Sequence, residues 1–454
     1  MKKTLIGLLL IAIFLGSRAS ARAGQSLAPY SQESTATAEV VESPTAQVSH
    51  TPSPSASQTP MPSASPTFIP TQGIIATETP LSMVVPLTVN EPTPVSYGPY
   101  NFPPEVNPLT GLPVSQLNLL ERRPIVVKVT NYPRSVRPQF GLSRADVVYE
   151  YYMERGVSRF IAVFYGQDAE KIGPVRSGRF FDEHIFRMYD GIFVFGSADH
   201  RVLDYFLTLG KHIVNSFMLE SPEDRKNSCD INKPRHLCRD RNIVSYNNLF
   251  TNTAALTQFI TERNGNYRPD LTGMRFSERS PANGSLAINV YMRYSLFIYN
   301  KWSYSVQSGR YVRYQETIGF TDPTQEDYAP HVDQLTGEQL AADNVVVLFV
   351  PHEYYVKTKT TEIINIRLLH AGNGYVYRDG FAFPIFWARP EDGGMLTLYT
   401  LDGEIFPLKP GETWYQIVSE ETVLDQNGGD WRFTFVPPPV PNYPIDKSPA
   451  PPNE

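Results

Sequence analysis

Residues 122–179 read RRPIVVKVTNYPRSVRPQFGLSRADVVYEYYMERGVSRFIAVFYGQDAEKIGPVRSGR, and the fold turns on how this stretch is read. Ile125–Thr130 is rich in β-branched residues and predicts a strand, as does Asp146–Tyr152. Arg159–Tyr165 is an almost unbroken apolar run, which suits a strand covered on both faces. Just downstream, Ser177–Tyr189 predicts a helix with Phe181, Ile185 and Met188 at helical spacing and Gly191 placed to end it in the left-handed conformation. Ile192–Phe195 is the next strand, and Asp199 is placed to cap a helix carrying Val202, Phe206 and Leu209 on one face. Strand, helix, strand, helix at this spacing predicts βαβ units in a parallel or mixed sheet. Asn252–Thr261 is a further amphipathic helix.

The character changes after residue 270. Segments such as NVVVLFV, IINIRLL, FAFPIFWA and TWYQIVS are short, β-branched and aromatic, and are separated by Gly, Asp-Gly and Pro turns. That pattern predicts an antiparallel sheet or barrel. The expected fold class is mixed α+β. An N-terminal α/β domain over residues 99–266, with βαβ units and a mixed sheet, precedes a mainly antiparallel β domain over residues 271–437.

Both ends differ from these segments. Lys2 and Lys3 precede an apolar run, Leu5–Leu15, and SRASARAG offers small residues for cleavage after Ala21 or Ala23. Residues 1–23 are therefore read as a signal peptide, with an uncleaved membrane anchor as the alternative. No cysteine stands near the cleavage site to carry a lipid. The protein is expected outside the cytoplasm, secreted or associated with the cell surface. Residues 24–98 are rich in Ser, Thr, Pro and Ala, and no Lys or Arg occurs between Arg22 and Arg122. Such a segment is expected to be a disordered stalk, because it cannot bury enough apolar area to offset its ordering entropy. Residues 438–454 are expected to form a second, Pro-rich tail.

Composition narrows the partners. A net charge of −6 argues against a nucleic-acid binder, which normally carries a basic surplus. Cys229 and Cys238 are the two cysteines of the chain, in CDINKPRHLC. In an exported protein such a pair is expected to form a disulfide, and a ring of this size contributes about 2.5–3 kcal/mol by the loop-entropy estimate. A metal site using both thiolates with His236 and Asp230 is the alternative, although its spacing departs from that of structural zinc sites.

The motifs NPLTGLPV, RRPIVVKVTN, RPQFGLSRADVVYE, GVSRFIAVFY and KIGPVRSGR occur in that order. Together they resemble the YerB-like family of bacterial surface proteins, defined by paired N-terminal and C-terminal domains of unknown function. HVDQLTGEQLAADNVVVLFV and LKPGETWYQIV look like its C-terminal domain, so the resemblance spans most of residues 107–419. It implies no catalytic residues. It does imply a lipoprotein habit from which this chain departs.

Candidate sites follow from the same stretch. Ser177 at a helix start, with Arg176 and Arg179 beside it, could hold a phosphate or carboxylate, and Asn131 and Arg137 are counted with them as ligand-binding residues. The competing expectation is that these arginines pair with Asp182, Glu183 or Glu150. Glu150 and Glu154, and Asp199 at a strand's carboxyl end, are the carboxylates that could do general acid–base work on a glycan. Strand-edge carboxylates paired with Arg134, Arg137 or Arg159, and Asp199 as a plain cap, are the competing readings. No HExxH spacing occurs, since HEYYV at His352 has Val356 in the second histidine's place, so no metal and no cofactor is expected. His331 and Asp333 are read as turn residues, and Tyr291, Tyr294, Tyr299 and Tyr304 as cross-strand packing in preference to sugar stacking. The function expected is a non-enzymatic module binding an anionic envelope polymer or a surface protein. A hydrolase of envelope glycan or peptide is the alternative.

Overall fold

The apolar runs of the opening stretch become the middle of a large sheet. β1 (Ile125–Thr130), β2 (Val147–Tyr152) and β3 (Ser158–Phe164) are buried along their whole length. β3 pairs antiparallel with both neighbours, Ile125 facing Phe164 and Tyr152 facing Ser158. The structure, a computed structural model, describes residues 95–210, 213–215, 229–230, 232–243, 246–319, 322, 324–440 and 445–446. The signal segment, nearly all of the expected stalk and most of the expected tail lie outside the described residues. Among those described, no helix is long and apolar enough to cross a membrane.

α1 (Phe181–Met188) leads into β4 (Ile192–Phe195), which lies parallel to β1. α2 (His200–Thr208) follows, and then β5 (Ile213–Asn215), parallel to β4. This is the expected parallel βαβ unit. α1 begins four residues later than the sequence predicts. Gly178 N–H donates to the Ser197 carbonyl at 2.7 Å, which ties the chain to the end of β4 before it can turn. A side chain on Gly178 would meet Phe206 at 2.9 Å. Ser177 is therefore not the cap; that position falls on Phe180, which makes no side-chain capping bond.

The end of α1 also corrects the expectation. Asp190, with φ of 45°, takes the left-handed position assigned to Gly191. Gly191 N–H then donates to the Phe186 carbonyl and Asp190 N–H to the Arg187 carbonyl, the paired bonds of a Schellman motif. Gly191 is required for close approach, since a Cβ there would stand 2.8 Å from Val126. α3 (Thr253–Thr261) starts where predicted, with Asn252 Oδ1 accepting from Ala255 N at 2.8 Å.

The second segment supplies β6 (Ser285–Leu286), β7 (Asn289–Arg293), β8 (Tyr299–Ser305) and β9 (Arg310–Glu316). β10 (Asn344–Val350), β11 (His352–Lys357), β12 (Glu362–Ile366), β13 (His370–Arg378) and β14 (Phe381–Arg389) follow. β15 (Thr397–Tyr399), β16 (Thr413–Ser419), β17 (Val423–Asn427) and β18 (Asp430–Thr434) come after these, with shorter strands between. The main sheet runs β6-β14-β13-β10-β16-β2-β3-β1-β4-β5, with β15 on β14. β16 lies parallel to β2, Thr413 facing Val147, so the sequence boundary at 266–271 separates two segments that share one sheet. β9-β8-β7-β18-β17 is the core of a second sheet, antiparallel except where β7 meets β18. One apolar core continues through both segments, from Leu109 to Phe435. Cys229 and Cys238 are joined as a disulfide, with Cα atoms 5.0 Å apart, beside the short pair Leu237–Arg239 and Leu249–Thr251.

A cationic cavity at the end of the central strands

β1 and β4 pair only over Ile125–Val127. Beyond that the chain wedges the segment Pro174–Arg176 between them: Thr130 N–H donates to the Pro174 carbonyl, Arg176 N–H to that of Lys128, and Gly196 N–H to that of Arg176. The carboxyl ends of these parallel strands are thus splayed, the place where open α/β sheets take ligands. Arg176 stands at the opening. On the other side is the β2–β3 turn, closed by Val157 N–H on the Glu154 carbonyl, with Arg155 and Gly156 both at positive φ.

Between them lies a cavity of about 370 Å³, walled by Arg155, Arg159, Arg176, Glu154 and the rings of Tyr132, Tyr246 and Phe297. Three guanidinium groups face one carboxylate here, on a chain whose net charge is −6. Arg159 donates to the Ser177 carbonyl at 2.6 Å, and no carboxylate lies within ion-pair distance of it among the described residues. Burial, and then repulsion from Arg179, pushes its pKa down to about 9, so it remains a cation at neutral pH. Arg176 stacks over Tyr246, 4.7 Å from the ring centroid, and its Nε is buried without a hydrogen-bond partner. The rings are open to solvent: Tyr246 is 70% exposed, Phe297 50% and Tyr132 39%.

The other expected residues disperse. Arg179 turns inward and forms a two-point ion pair with Glu154, Nε to Oε2 at 2.8 Å, in place of the expected Asp182, Glu183 or Glu150. Burial alone would raise the Glu154 carboxyl, but the Arg179 charge holds it below the usual range. Ser177 contributes only its carbonyl. Asn131 is fully buried, its Nδ2 donating to Ser158 Oγ at 2.9 Å. Arg137 binds the Asn131 carbonyl and pairs with Glu316 at 2.7 Å. Behind the cavity, Lys128 is buried against Asp182 at 2.8 Å, and desolvation pushes its ammonium pKa down to about 7.

Glu150 is not at the cavity. It is fully buried and accepts from Arg313 at 2.8 Å, Ser158 at 2.7 Å, Asn300 and Gln416 at 3.2 Å, and Asn131 at 3.3 Å. Its ionic partner is therefore Arg313, not Arg134, Arg137 or Arg159. Asp199 caps α2, its carboxylate accepting from Arg201 N at 3.1 Å and from the Arg201 guanidinium. Asp199→Ala is predicted to cost about 1 kcal/mol of stability, as lost caps do, measured by urea unfolding; a change below a few tenths would show that the bond is not formed. His331 and Asp333 do more than turn the chain. His331 links Arg313 Nε at 3.0 Å to Gln139 Oε1 at 2.7 Å, and Asp333 accepts from Gly141 N and Ser143 N at 2.8 and 2.7 Å.

Sequence reasoning had Arg159 only as a partner for carboxylates and passed over Arg155, Tyr132, Tyr246 and Phe297 as site residues. A signal existed for Arg159, a lone cation at the mouth of RFIAVFY. The rings come from separate loops, and only the fold collects them.

A mixed α/β sheet whose splayed central strands carry a cationic, ring-lined cavity defines the class. Residues 109–267 match the N-terminal domain, and residues 290–415 the C-terminal domain, of the family described as protein of unknown function (DUF3048), and the chain belongs to that family. It is 26% identical over 316 residues to a Bacillus subtilis (strain 168) protein named "Putative lipoprotein YerB", covering 69% of this chain and 86% of that one. The crystal structure of YerB from Bacillus subtilis superposes with a TM-score of 0.55 at 24% identity, over 69% of this chain and 96% of the other.

Proposed function

We propose that the protein is an extracytoplasmic, non-enzymatic binding module that holds an anionic, sugar-containing polymer of the cell envelope at this cavity. One observation carries the reading: Arg159 and Arg176, neither paired with a carboxylate among the described residues, stand beside three solvent-exposed rings. Guanidinium forks suit phosphate and carboxylate, and ring faces offer an apolar surface to a sugar. Among the described residues Glu154 is the only carboxylate on the cavity wall and is held by Arg179, and none of them sets a second carboxylate on that wall facing it, as general acid–base hydrolysis of a glycan requires. The extracytoplasmic placement rests on the signal-like N-terminal segment and on the lipoprotein named among the relatives.

The test is binding of the purified protein to wall sacculi, intact or stripped of their anionic polymers. Binding is expected only to the intact material and should weaken as salt rises. Arg176→Ala should lower affinity about tenfold or more with an unchanged melting temperature, since a charge-assisted contact contributes about 1.5–3 kcal/mol. Arg176→Lys should restore it only in part, because the planar fork is lost. Equal binding to stripped sacculi would overturn the polymer reading, and release of soluble muropeptides would replace it with the hydrolase. Capture of a wall protein, with no polymer bound, would favour a protein partner.

A further inference from the structure

The loop that follows β1, Tyr132–Phe140, separates the cationic cavity from two others. Tyr132 and Pro133 wall the first cavity. Arg134, Arg137 and Pro138 wall a second, of about 300 Å³, and Arg137 and Pro138 also wall a third, of about 360 Å³, which Phe140, Asn247 and Gln334 complete. Arg134 ties the first to the second, because its guanidinium donates at 2.8 Å to the carbonyl of Phe297, whose ring lines the first.

Charge follows the same line. Arg134 and Arg137 share one carboxylate, Glu316, at 3.8 and 2.7 Å, so the second cavity also carries more cation than anion. The third holds amides and the rings of Phe140 and Phe250 next to the shared Arg137. Arginines thus line the first two cavities, and Arg137 carries the charge on to the edge of the third, along nine residues of loop, which suits a ligand whose anionic groups also recur.

We propose that the ligand lies as an extended chain across these three cavities, so that the protein grips the interior of a linear polyanion and not its terminus. This rests on reading the first cavity as an anion site, and the experiment separates the two claims. Two probe series are titrated calorimetrically into the full chain: galacturonic acid and its linear oligomers for carboxylate, glycerol phosphate and its phosphodiester-linked oligomers for phosphate. In one series affinity should rise about tenfold or more between one unit and four, then level off, as linked subsites require. Capping both ends of the oligomer should leave affinity unchanged. Arg176→Ala should weaken every length, whereas Arg134→Gln should flatten the rise with length. Melting temperatures of both variants show whether they are folded, and Arg134→Lys is the second choice if the glutamine variant is not. Affinity that does not rise with length, or that end-capping abolishes, would overturn the extended site while leaving the first cavity's assignment intact. Failure of both series at every length would overturn both.

Discussion

Arg313→Ala should lower the unfolding free energy by about 3–5 kcal/mol, the usual loss when one partner of a buried ion pair is removed. The variant would leave the Glu150 carboxylate fully buried, with only neutral donors from Asn131, Ser158, Asn300 and Gln416. It would also empty the space between three rings, since the Arg313 guanidinium lies 5.5, 5.2 and 4.8 Å from the centroids of Phe160, Trp302 and Trp414. Glu150 stands on β2 in the main sheet and Arg313 on β9 in the second, so the pair bolts one family segment to the other. Removing both charges, as in Glu150→Gln with Arg313→Met, should be milder than Arg313→Ala alone, because no uncompensated charge stays behind. Urea unfolding followed by tryptophan fluorescence measures all three proteins. A loss below 1 kcal/mol for Arg313→Ala would show that water reaches Glu150 and that the pair does not hold the sheets together.

That pair also shows where sequence reading stops. In RYVRYQE, residues 310–316, alternation by residue type would place Val312 inside and Arg313 outside. The structure reverses this: Tyr311, Arg313 and Gln315 face the core, and Val312 and Tyr314 are only partly buried. Polar residues can occupy an inward face when each finds a partner, but the ionic partner of Arg313, Glu150, comes from a strand more than a hundred residues away. β1, β4, the Asp199 cap and the α3 start were legible because each is fixed by its own few residues. The α1 start was not, because a backbone bond from Gly178 to Ser197 and the packing of Phe206 decide it. Nor could strand patterns show that β16 lies parallel to β2, since parallel pairing leaves no local turn signature. Of the ligand residues expected, Arg176 reached the cavity because it flanks the wedge between β1 and β4. Arg179, three residues on, met Glu154 instead. Nothing in GPVRSGR distinguishes the two arginines; the placing of Glu154 at the β2–β3 turn does.

Acid should destabilise the protein between pH 6.5 and 4, and buried histidines set the sign. Burial, and then the Arg389 guanidinium, pushes the His184 pKa from 6.5 down to about 3, and burial pushes that of His352 to about 4. His331 lies well below its ordinary value through burial and then Arg313, whose Nε donates to the His331 ring and so requires it to be neutral on that side. These groups titrate at ordinary values in the unfolded chain and lower ones in the fold. The unfolded state therefore takes up more protons below pH 6.5, and each histidine withdraws about 1.4 kcal/mol per pH unit until its folded pKa is reached. Asp146 opposes this. Burial raises its carboxyl to about 6 despite bonds from Tyr165 N and Gly166 N, so the fold takes up its proton first and gains stability as pH falls from there to 3.8. Glu412, raised by burial to about 7, acts in the same sense, but its partial exposure discounts the contribution. Glu183, Glu316 and Asp343, also raised by burial, act likewise, whereas Glu154, Asp199, Asp240 and Glu326, held low by their arginine or lysine partners, add to the loss that the histidines bring. His184→Gln isolates one of them, since glutamine keeps an acceptor for Arg389 Nη1 without titrating. Whatever its offset at neutral pH, the variant should gain on the wild type by about 1.4 kcal/mol for each unit that pH falls from 6.5 to 4, measured by urea unfolding across that range. Parallel curves for the two proteins would mean that His184 is protonated inside the fold, and the acid sensitivity would then have to come from carboxylate ion pairs alone.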